Sequence, residues 1–187
     1  MTSPQTTGLM TVAMMVAMML PSVAPTLWHH YFHLRANGSP RPWQNTSLFA
    51  VGYASVWSAI GLVLFAIDTV LPPVTPLALG IALLCAGALQ VSRWKGRQLL
   101  RCRPTCATTA RSTVRTAWQN GCRLGVACSL SCAAPMVVLL AAGLMDTRVM
   151  LLVATVITAE RLAPAGGHIA RLSGTLALIA GSSMVAR

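Results

Sequence analysis

A methionine-rich apolar stretch near the start of the chain, AMMVAMMLPSVAP at residues 13–25, carries the side chains best suited to chemistry. At 3.6 residues per helical turn, methionines four positions apart lie on one face and their chain neighbours lie beside it. These methionines are Met10, Met14 and Met18 on the face, with Met15 and Met19 beside it. Thioether sulfur is a soft donor that prefers Cu(I), and it also fills apolar gaps. The stretch therefore suits either a soft-metal site or simple packing.

Cysteines form a second candidate cluster, in the segment GVACSLSCAAPM. Cys128 and Cys132 are four residues apart, so both thiols lie on one face of a helix, either as small buried hydrophobes or as metal ligands. Cys102 and Cys106 have a C-x3-C spacing that zinc sites use, but no second pair follows at zinc-finger spacing. Zinc is thus less expected than copper, which thiols and thioethers together favour.

Three histidines lie at positions 29, 30 and 33, in a segment that we expect to be a loop between residues 28 and 45. The segment contains turn-forming residues and aromatic side chains typical of membrane surfaces. On a helix, His29 and His33 would face the same way at i and i+4, a spacing that can hold a metal. A polar rim at the membrane surface is the alternative interpretation.

Composition predicts an integral membrane protein. The chain has 187 residues, of which 55% are hydrophobic and 9% charged, and its mean hydropathy is +0.66, whereas about a quarter of the residues in a soluble domain are charged. The net charge of +11 does not indicate nucleic-acid binding, because most Lys and Arg cluster between residues 93 and 123, beside apolar spans. Positive loops stay on the cytoplasmic side, where anionic lipid headgroups are their natural partners.

The hydrophobic pattern predicts an all-α fold, a polytopic transmembrane helical bundle of about six spans that forms a single integral membrane domain over residues 1–187. We expect spans near residues 8–28, 47–71, 75–94, 120–145, 148–162 and 168–185, and a basic cytoplasmic loop at 93–123 that includes an amphipathic helix. Pro21 and Pro25 are expected to kink or end the first span. The distribution of Lys and Arg directs both termini outward.

The two sulfur clusters are predicted to lie at the same depth. At a rise of 1.5 Å per residue, Met18 lies roughly 15 Å below the outer surface if the first span enters near Gly8. Cys132 lies about 16 Å above the inner surface if the fourth span starts near Gly121. Both positions are close to the middle of the bilayer, where a copper ion would offset the cost of burying thiolates.

Four of the predicted spans each carry a short motif of their own. They are A-M-M-x-P-S (Ala17, Met18, Met19, Pro21, Ser22), G-Y with a later W (Gly52, Tyr53, Trp57), A-G-x-x-Q with a later K (Ala86, Gly87, Gln90, Lys95), and G-x-x-C-x-x-x-C with a later A-x-M (Gly125, Cys128, Cys132, Ala134, Met136). Together they resemble, over nearly the whole chain, the bacterial family called domain of unknown function 2182 (DUF2182), described as predicted metal-binding integral membrane proteins. The chain departs from that family at Gln98 and Ser131, which stand where the family has cysteines, and at Leu130 and Ala133, which stand where it has glycine and tryptophan.

From these residues and the resemblance we predict a bacterial inner-membrane protein that binds a soft metal, copper, in a mid-membrane site. Its role would be metal transport, delivery or assembly of a partner metalloenzyme. The expected ligands are Met18, Met19, Cys128 and Cys132, with Met14 and Met15 as additional or transit donors and Cys102 exchanging the ion at the cytoplasmic face. Glu160 would pair with Lys95 or Arg161, or act as a hard ligand near the exit.

A second hypothesis makes the chain a structural or accessory subunit of a larger membrane complex, with no metal of its own. Small residues at helical spacings in the second and sixth spans would then pack against a partner protein. An enzyme is not expected, because the sequence has no paired carboxylates, no histidine-rich zinc motif, no nucleophile elbow and no phosphate loop.

Overall fold

The computed structural model describes residues 4–70, 75–101, 114–142, 146–163 and 166–186, and these residues form seven helices and no β-strand. The helices are α1 (Pro4–Ala36), α2 (Pro42–Val70), α3 (Pro76–Val91), α4 (Arg93–Arg101), α5 (Val114–Ala142), α6 (Thr147–Leu162) and α7 (Gly166–Val185). The predicted all-α fold is confirmed.

Three of the described helices are long and apolar enough to cross a membrane, over Gly8–Ala36, Pro42–Val70 and Arg115–Ala142. A fourth crossing results if α3 and α4, which meet at a 65° bend, form one broken span. The expected count of about six spans is not confirmed. α6 has only 16 residues against the roughly 20 that a hydrocarbon core requires, and the apolar residues of α7 are interrupted by glycine, serine and Arg171.

α1 is longer than the predicted first span. It continues through Pro21 and Pro25 to Ala36, so neither proline ends it, and all three clustered histidines lie on the helix rather than in a loop. Each proline removes one backbone hydrogen bond, but a long helix packed against α2 and α6 keeps most of the others. Residues 37–41 connect α1 to α2, and Gly38 there has a φ of +67°, which glycine adopts without strain.

The basic segment contributes to two helices. Residues 93–101 form α4, residues from 114 onward belong to α5, and Cys102 lies outside the described residues. α4 is amphipathic, as the sequence predicts. Among residues 93–99, however, its buried side chains are the polar Lys95 and Gln98. A buried lysine requires a partner, and that partner is described below.

Glycines allow close contact between two pairs of helices. α3 packs against α7, and a Cβ atom on Gly87 would lie 2.7 Å from the carbonyl oxygen of Gly174. α2 packs against α5, and a Cβ atom on Gly52 would collide with the carbonyl oxygen of Trp118. Gly52 and Gly174 belong to the small-residue faces of the second and sixth predicted spans, and Gly87 belongs to the third. In the structure, these glycines contact other helices of the same chain.

The main buried cluster lies between α1, α2, α5 and α6. Its members are Met15, Met18, Met19, Val23, Phe49, Tyr53, Trp57, Leu124, Cys128, Cys132, Met136, Leu139, Val153 and Ile157. α1 and α5 both pack against α2 and against α6. The bundle thus brings the methionine-rich helix and the cysteine-rich helix into one core.

Candidate metal site

The buried face of α1 differs from the face with Met10, Met14 and Met18 that the sequence suggested. Met15 and Met19 are almost completely buried, and Met18 is buried beside them. Met14 is only half-buried, and Met10 is 66% exposed. Met14 therefore does not belong to the buried cluster, and Met10 and Met14 lie toward the outside of the bundle.

α5 contributes Cys128 and Cys132 to the same cluster, and both thiols are buried. We call the five residues Met15, Met18, Met19, Cys128 and Cys132 the sulfur region. Cys85 is exposed and Cys122 is half-buried, with its thiol 3.4 Å from the carbonyl oxygen of Gly52. Among the described cysteines, only Cys128 and Cys132 share the core with the methionines.

Polar groups from three helices surround Cys128. Arg161, at the end of α6, donates from Nη1 to the sulfur of Cys128 and to the hydroxyl of Ser22, both at 2.9 Å. The hydroxyl of Tyr53 on α2 lies 3.3 Å from the same sulfur. Ser22 donates in turn to the carbonyl oxygen of Met19 at 2.9 Å. Arg161 thus joins the cysteine helix to the methionine helix, with its positive charge directly at one sulfur.

A second polar group, which we call the ion-pair region, consists of Lys95, Gln90, Glu160 and Ser173. Lys95 Nζ lies 2.8 Å from Oε2 of Glu160, and both side chains are buried. The other carboxylate oxygen accepts from the Gln90 amide and, at 3.0 Å, from the Ser173 hydroxyl. Both oxygens of Glu160 are therefore engaged, and Glu160 pairs with Lys95 instead of pointing at the sulfur region.

Ser131 lies between the two regions. Lys95 Nζ donates to its carbonyl oxygen, and its hydroxyl lies 3.7 Å from the sulfur of Cys132. The hydroxyl also donates to the carbonyl oxygen of Cys128 at 2.8 Å. A buried lysine and a buried thiol are therefore separated by a single residue of α5.

The histidines do not converge on the sulfur region. His33 packs against Asn37, whose side-chain nitrogen lies 3.1 Å from His33 Nδ1, and His29 is exposed. His30 is buried against the ring of Phe49, and neither of its ring nitrogens has a hydrogen-bond partner among the described residues. Of the three histidines, the buried one is His30 and not His29 or His33, the pair that the sequence offered as metal ligands.

Within the part of the chain that the structure describes, no three His, Cys, Asp or Glu side chains converge as they would in a hard-metal or zinc site. The buried cluster instead contains thiols and thioethers, the donor types that suit Cu(I). The sequence interpretation missed the contacts of Tyr53 and Arg161 with Cys128. A signal for both was present, since Tyr53 lies in the G-Y motif and Arg161 follows Glu160, but their contact with a thiol depends on tertiary structure.

Comparison with known proteins gives one family. A family model described as PpoB2, copper chaperone, matches residues 9–184, nearly the whole chain. No curated protein and no solved structure matches the chain. The matched family is related to copper, as the sequence analysis predicted, although it does not carry the name DUF2182.

Proposed function

The chain belongs to the PpoB2 copper chaperone family, and from this premise we propose that it is a membrane protein that holds Cu(I) in the sulfur region and passes it to a partner metalloprotein. Copper is the cargo of such a protein. The observation that carries the proposal is the common burial of Met18, Met19, Cys128 and Cys132 in one core cluster. These four side chains are the proposed ligands.

The chemistry of the donors supports Cu(I) over zinc. Structural zinc sites use four Cys or His ligands as a rule, whereas the sulfur region offers two thiols and three thioethers, including Met15. Thioethers bind soft Cu(I), and, since they are uncharged, they can be buried without an ionic partner. The fit of the residues to Cu(I) is therefore good, and Met15 is a further donor, with Met14 at the edge as a transit donor.

Arg161 has a role in charge balance under this proposal. Two thiolates and one Cu(I) ion carry a net charge of −1, which is costly in an apolar core unless a cation lies beside it. Arg161 donates to the Cys128 sulfur at 2.9 Å, so its guanidinium would bring the total to zero. The Tyr53 hydroxyl lies 3.3 Å from the same sulfur and would donate a further hydrogen bond to the thiolate. These two residues orient Cys128 and do not themselves bind copper.

The membrane arrangement is part of the proposal. Three helices of sufficient length and apolarity, with the bent pair α3 and α4 as a fourth span, support integration into a membrane. An even number of spans places both termini on the same side. We propose the bacterial cytoplasmic membrane, with the basic segment on the cytoplasmic side against anionic lipids and both termini outward. Cys102, within that segment, would exchange copper at the cytoplasmic face, and the recipient metalloprotein would lie in or beside the same membrane.

Metal content tests the proposal. We would purify the full chain anaerobically in detergent with Cu(I) supplied and measure bound copper by mass spectrometry. The wild type should hold close to one copper per chain, and Cys128→Ser/Cys132→Ser and Met18→Leu/Met19→Leu should each lose most of it. The matched controls are Cys85→Ser and Met10→Leu, which change the same residue types at exposed positions and should bind copper as the wild type does.

Two outcomes would count against the proposal. If the wild type stays folded and holds no copper, the chain fits the accessory-subunit hypothesis better. If copper is lost equally in the control variants, the metal binds nonspecifically to sulfur on the surface. Retention of copper in the controls together with its loss in both core variants is the result that we expect.

A further inference from the structure

Lys95 is the only lysine of the chain, and its side chain is 3% exposed. Within the described residues its ammonium group has two partners. It pairs with Glu160 at 2.8 Å, and it donates to the backbone carbonyl oxygen of Ser131 on α5. One carboxylate already balances the charge of one ammonium group. The contact with the Ser131 carbonyl therefore needs an explanation of its own.

The explanation lies four residues further along α5. In an α-helix, each carbonyl oxygen accepts from the N–H group of the fourth residue that follows it. For Ser131 that residue is Pro135, which lies inside α5 and has no N–H group to donate. Lys95 thus donates to the one carbonyl oxygen of α5 that proline deprives of its helical hydrogen bond.

The bond from Lys95 has a direct consequence for Cys132. The carbonyl group of Ser131 and the amide nitrogen of Cys132 belong to one planar peptide unit, so a donor that holds this carbonyl also holds the backbone of residue 132. Helices tend to kink at proline. A change in such a kink at Pro135 would move Cys132 relative to the methionines of α1.

We propose that Lys95 is a positioning residue of the copper site. By donating to the Ser131 carbonyl in place of residue 135, it fixes the backbone of α5 at Cys132, and it does not itself contact the metal. The inference rests on the proposed function, because Cys132 is one of the proposed ligands. It also makes a prediction that an ion pair alone does not make: the effect of losing Lys95 depends on the residue at position 135.

Four forms of the full chain test this dependence. They combine either the native ion pair or its neutral replacement, Lys95→Met with Glu160→Gln, with either Pro135 or Pro135→Ala. The neutral replacement leaves no unpaired charge in the core. Cu(I) affinity would be measured anaerobically in detergent by competition with the Cu(I) chelator bathocuproine disulfonate, and the free energy of unfolding on the same samples. Affinity is the readout, because copper supplied in excess fills even a weakened site.

With Pro135 in place, the neutral replacement should bind Cu(I) about tenfold more weakly than wild type, the value of one hydrogen bond from a charged donor. With Pro135→Ala, the same replacement should change the affinity little, because the new N–H group of residue 135 donates to the Ser131 carbonyl instead of Lys95. Pro25→Ala is the matched control. It also removes a proline from inside a helix, but it restores a helical bond in α1 and should not rescue the affinity.

An equal loss of affinity with Pro135 and with Pro135→Ala would overturn the inference, since Lys95 would then act through Glu160 alone. Unchanged affinity in the neutral replacement would also overturn it. Both results leave the proposed function intact, whereas a wild type that binds no copper would overturn the proposed function and this inference together. If the neutral replacement folds only with Pro135→Ala, the dependence on residue 135 appears in the free energy of unfolding and supports the inference.

Discussion

The ion-pair region and the sulfur region are both buried, but they differ in whether their side chains have hydrogen-bond partners. In the ion-pair region, Glu160 accepts hydrogen bonds from Lys95, Gln90 and Ser173, so that both carboxylate oxygens are engaged. In the sulfur region, the thioethers of the buried methionines lie in an apolar core, where sulfur forms only weak hydrogen bonds. Charged groups can be buried only together, whereas thioethers can be buried and still be available to a soft metal.

One helix end serves both regions. Glu160 and Arg161 are consecutive residues of α6, and consecutive side chains on a helix project about 100° apart. Glu160 consequently meets α3 and α4 through Gln90 and Lys95, while Arg161 meets α1 and α5 through Ser22 and Cys128. The end of α6 thereby fixes the position of the structural charges relative to the proposed copper ligands.

The largest effect that this comparison predicts is on folding, from a change in the ion-pair region. Glu160→Ala leaves the Lys95 ammonium buried without its carboxylate, and removal of one partner from a buried ion pair costs about 3–5 kcal/mol. The free energy of unfolding in detergent, measured by denaturant titration, should fall by that amount. Asp68→Ala, which removes an exposed carboxylate, is the matched control and should change stability little.

Replacing both partners sharpens this prediction. Lys95→Met combined with Glu160→Gln removes both charges and should recover much of the stability lost in Glu160→Ala, because no unpaired charge remains. Copper content should be normal in the double variant if the ion-pair region is structural. Loss of copper with stability intact would show that the two regions are not separate in function.

A smaller effect is expected where α3 meets α7, the helices that supply Gln90 and Ser173. In Gly87→Ala, the new Cβ atom would lie 2.7 Å from the carbonyl oxygen of Gly174 and from the Leu178 side chain, and such overpacking costs about 1–3 kcal/mol. Gly96→Ala is the control, because nothing lies within 4 Å of its Cβ position, and alanine in a helix is about 1 kcal/mol more favourable than glycine. Equal effects of the two variants would argue against close packing of α3 on α7.

The methionines of the sulfur region should have a smaller effect on stability than on metal binding. Met18→Leu and Met19→Leu conserve volume and shape closely enough that each should change the free energy of unfolding by less than about 1.5 kcal/mol. Copper content, measured on the same samples, should nevertheless fall. A large loss of stability with copper retained would mean that these side chains are packing residues only.

Much of the sulfur region could be predicted from the sequence. The i, i+4 spacing of Cys128 and Cys132 places both thiols on one helix face, and the structure buries them with Met18 in one cluster. The depth of Met18 in the bilayer stays a prediction. The pairing of Glu160 with Lys95 was one of the alternatives that the sequence offered, beside pairing with Arg161 or acting as a hard ligand.

The remaining features depend on tertiary contacts that no local pattern reveals. α1 is apolar on nearly every side, so hydrophobic periodicity could not distinguish the face with Met10 and Met14 from the face with Met15 and Met19. The prolines of α1 indicate a break only when the packing of the helix is ignored. The contact of Arg161 with Cys128 joins residues 33 positions apart. The sequence does not show how α6 is aligned along α5, so it could not predict this contact.

Replacement of His30 is expected to have the smallest effect on stability, and it tests whether the proposed copper site contains only sulfur donors. Its ring is buried against Phe49 at a centroid distance of 4.8 Å, with both nitrogens unpaired within the described part of the chain. His30→Leu removes an unsatisfied polar group and also an aromatic contact worth about 0.5–1.5 kcal/mol, so these terms nearly cancel. We expect the free energy of unfolding to change by less than about 1 kcal/mol, and His29→Leu, at an exposed position, to change it even less.

Copper content of the His30→Leu variant then decides where this residue belongs. Imidazole binds copper as well as zinc, and His30 lies on the same buried side of α1 as Met15, Met19 and Ser22. Unchanged copper content would restrict the proposed site to sulfur donors. The buried, unpaired ring nitrogens of His30 would then only lower the stability of the fold slightly. Reduced copper with stability unchanged would make the His30 imidazole a ligand beside the sulfur atoms. The proposed copper site would then no longer consist of sulfur donors alone.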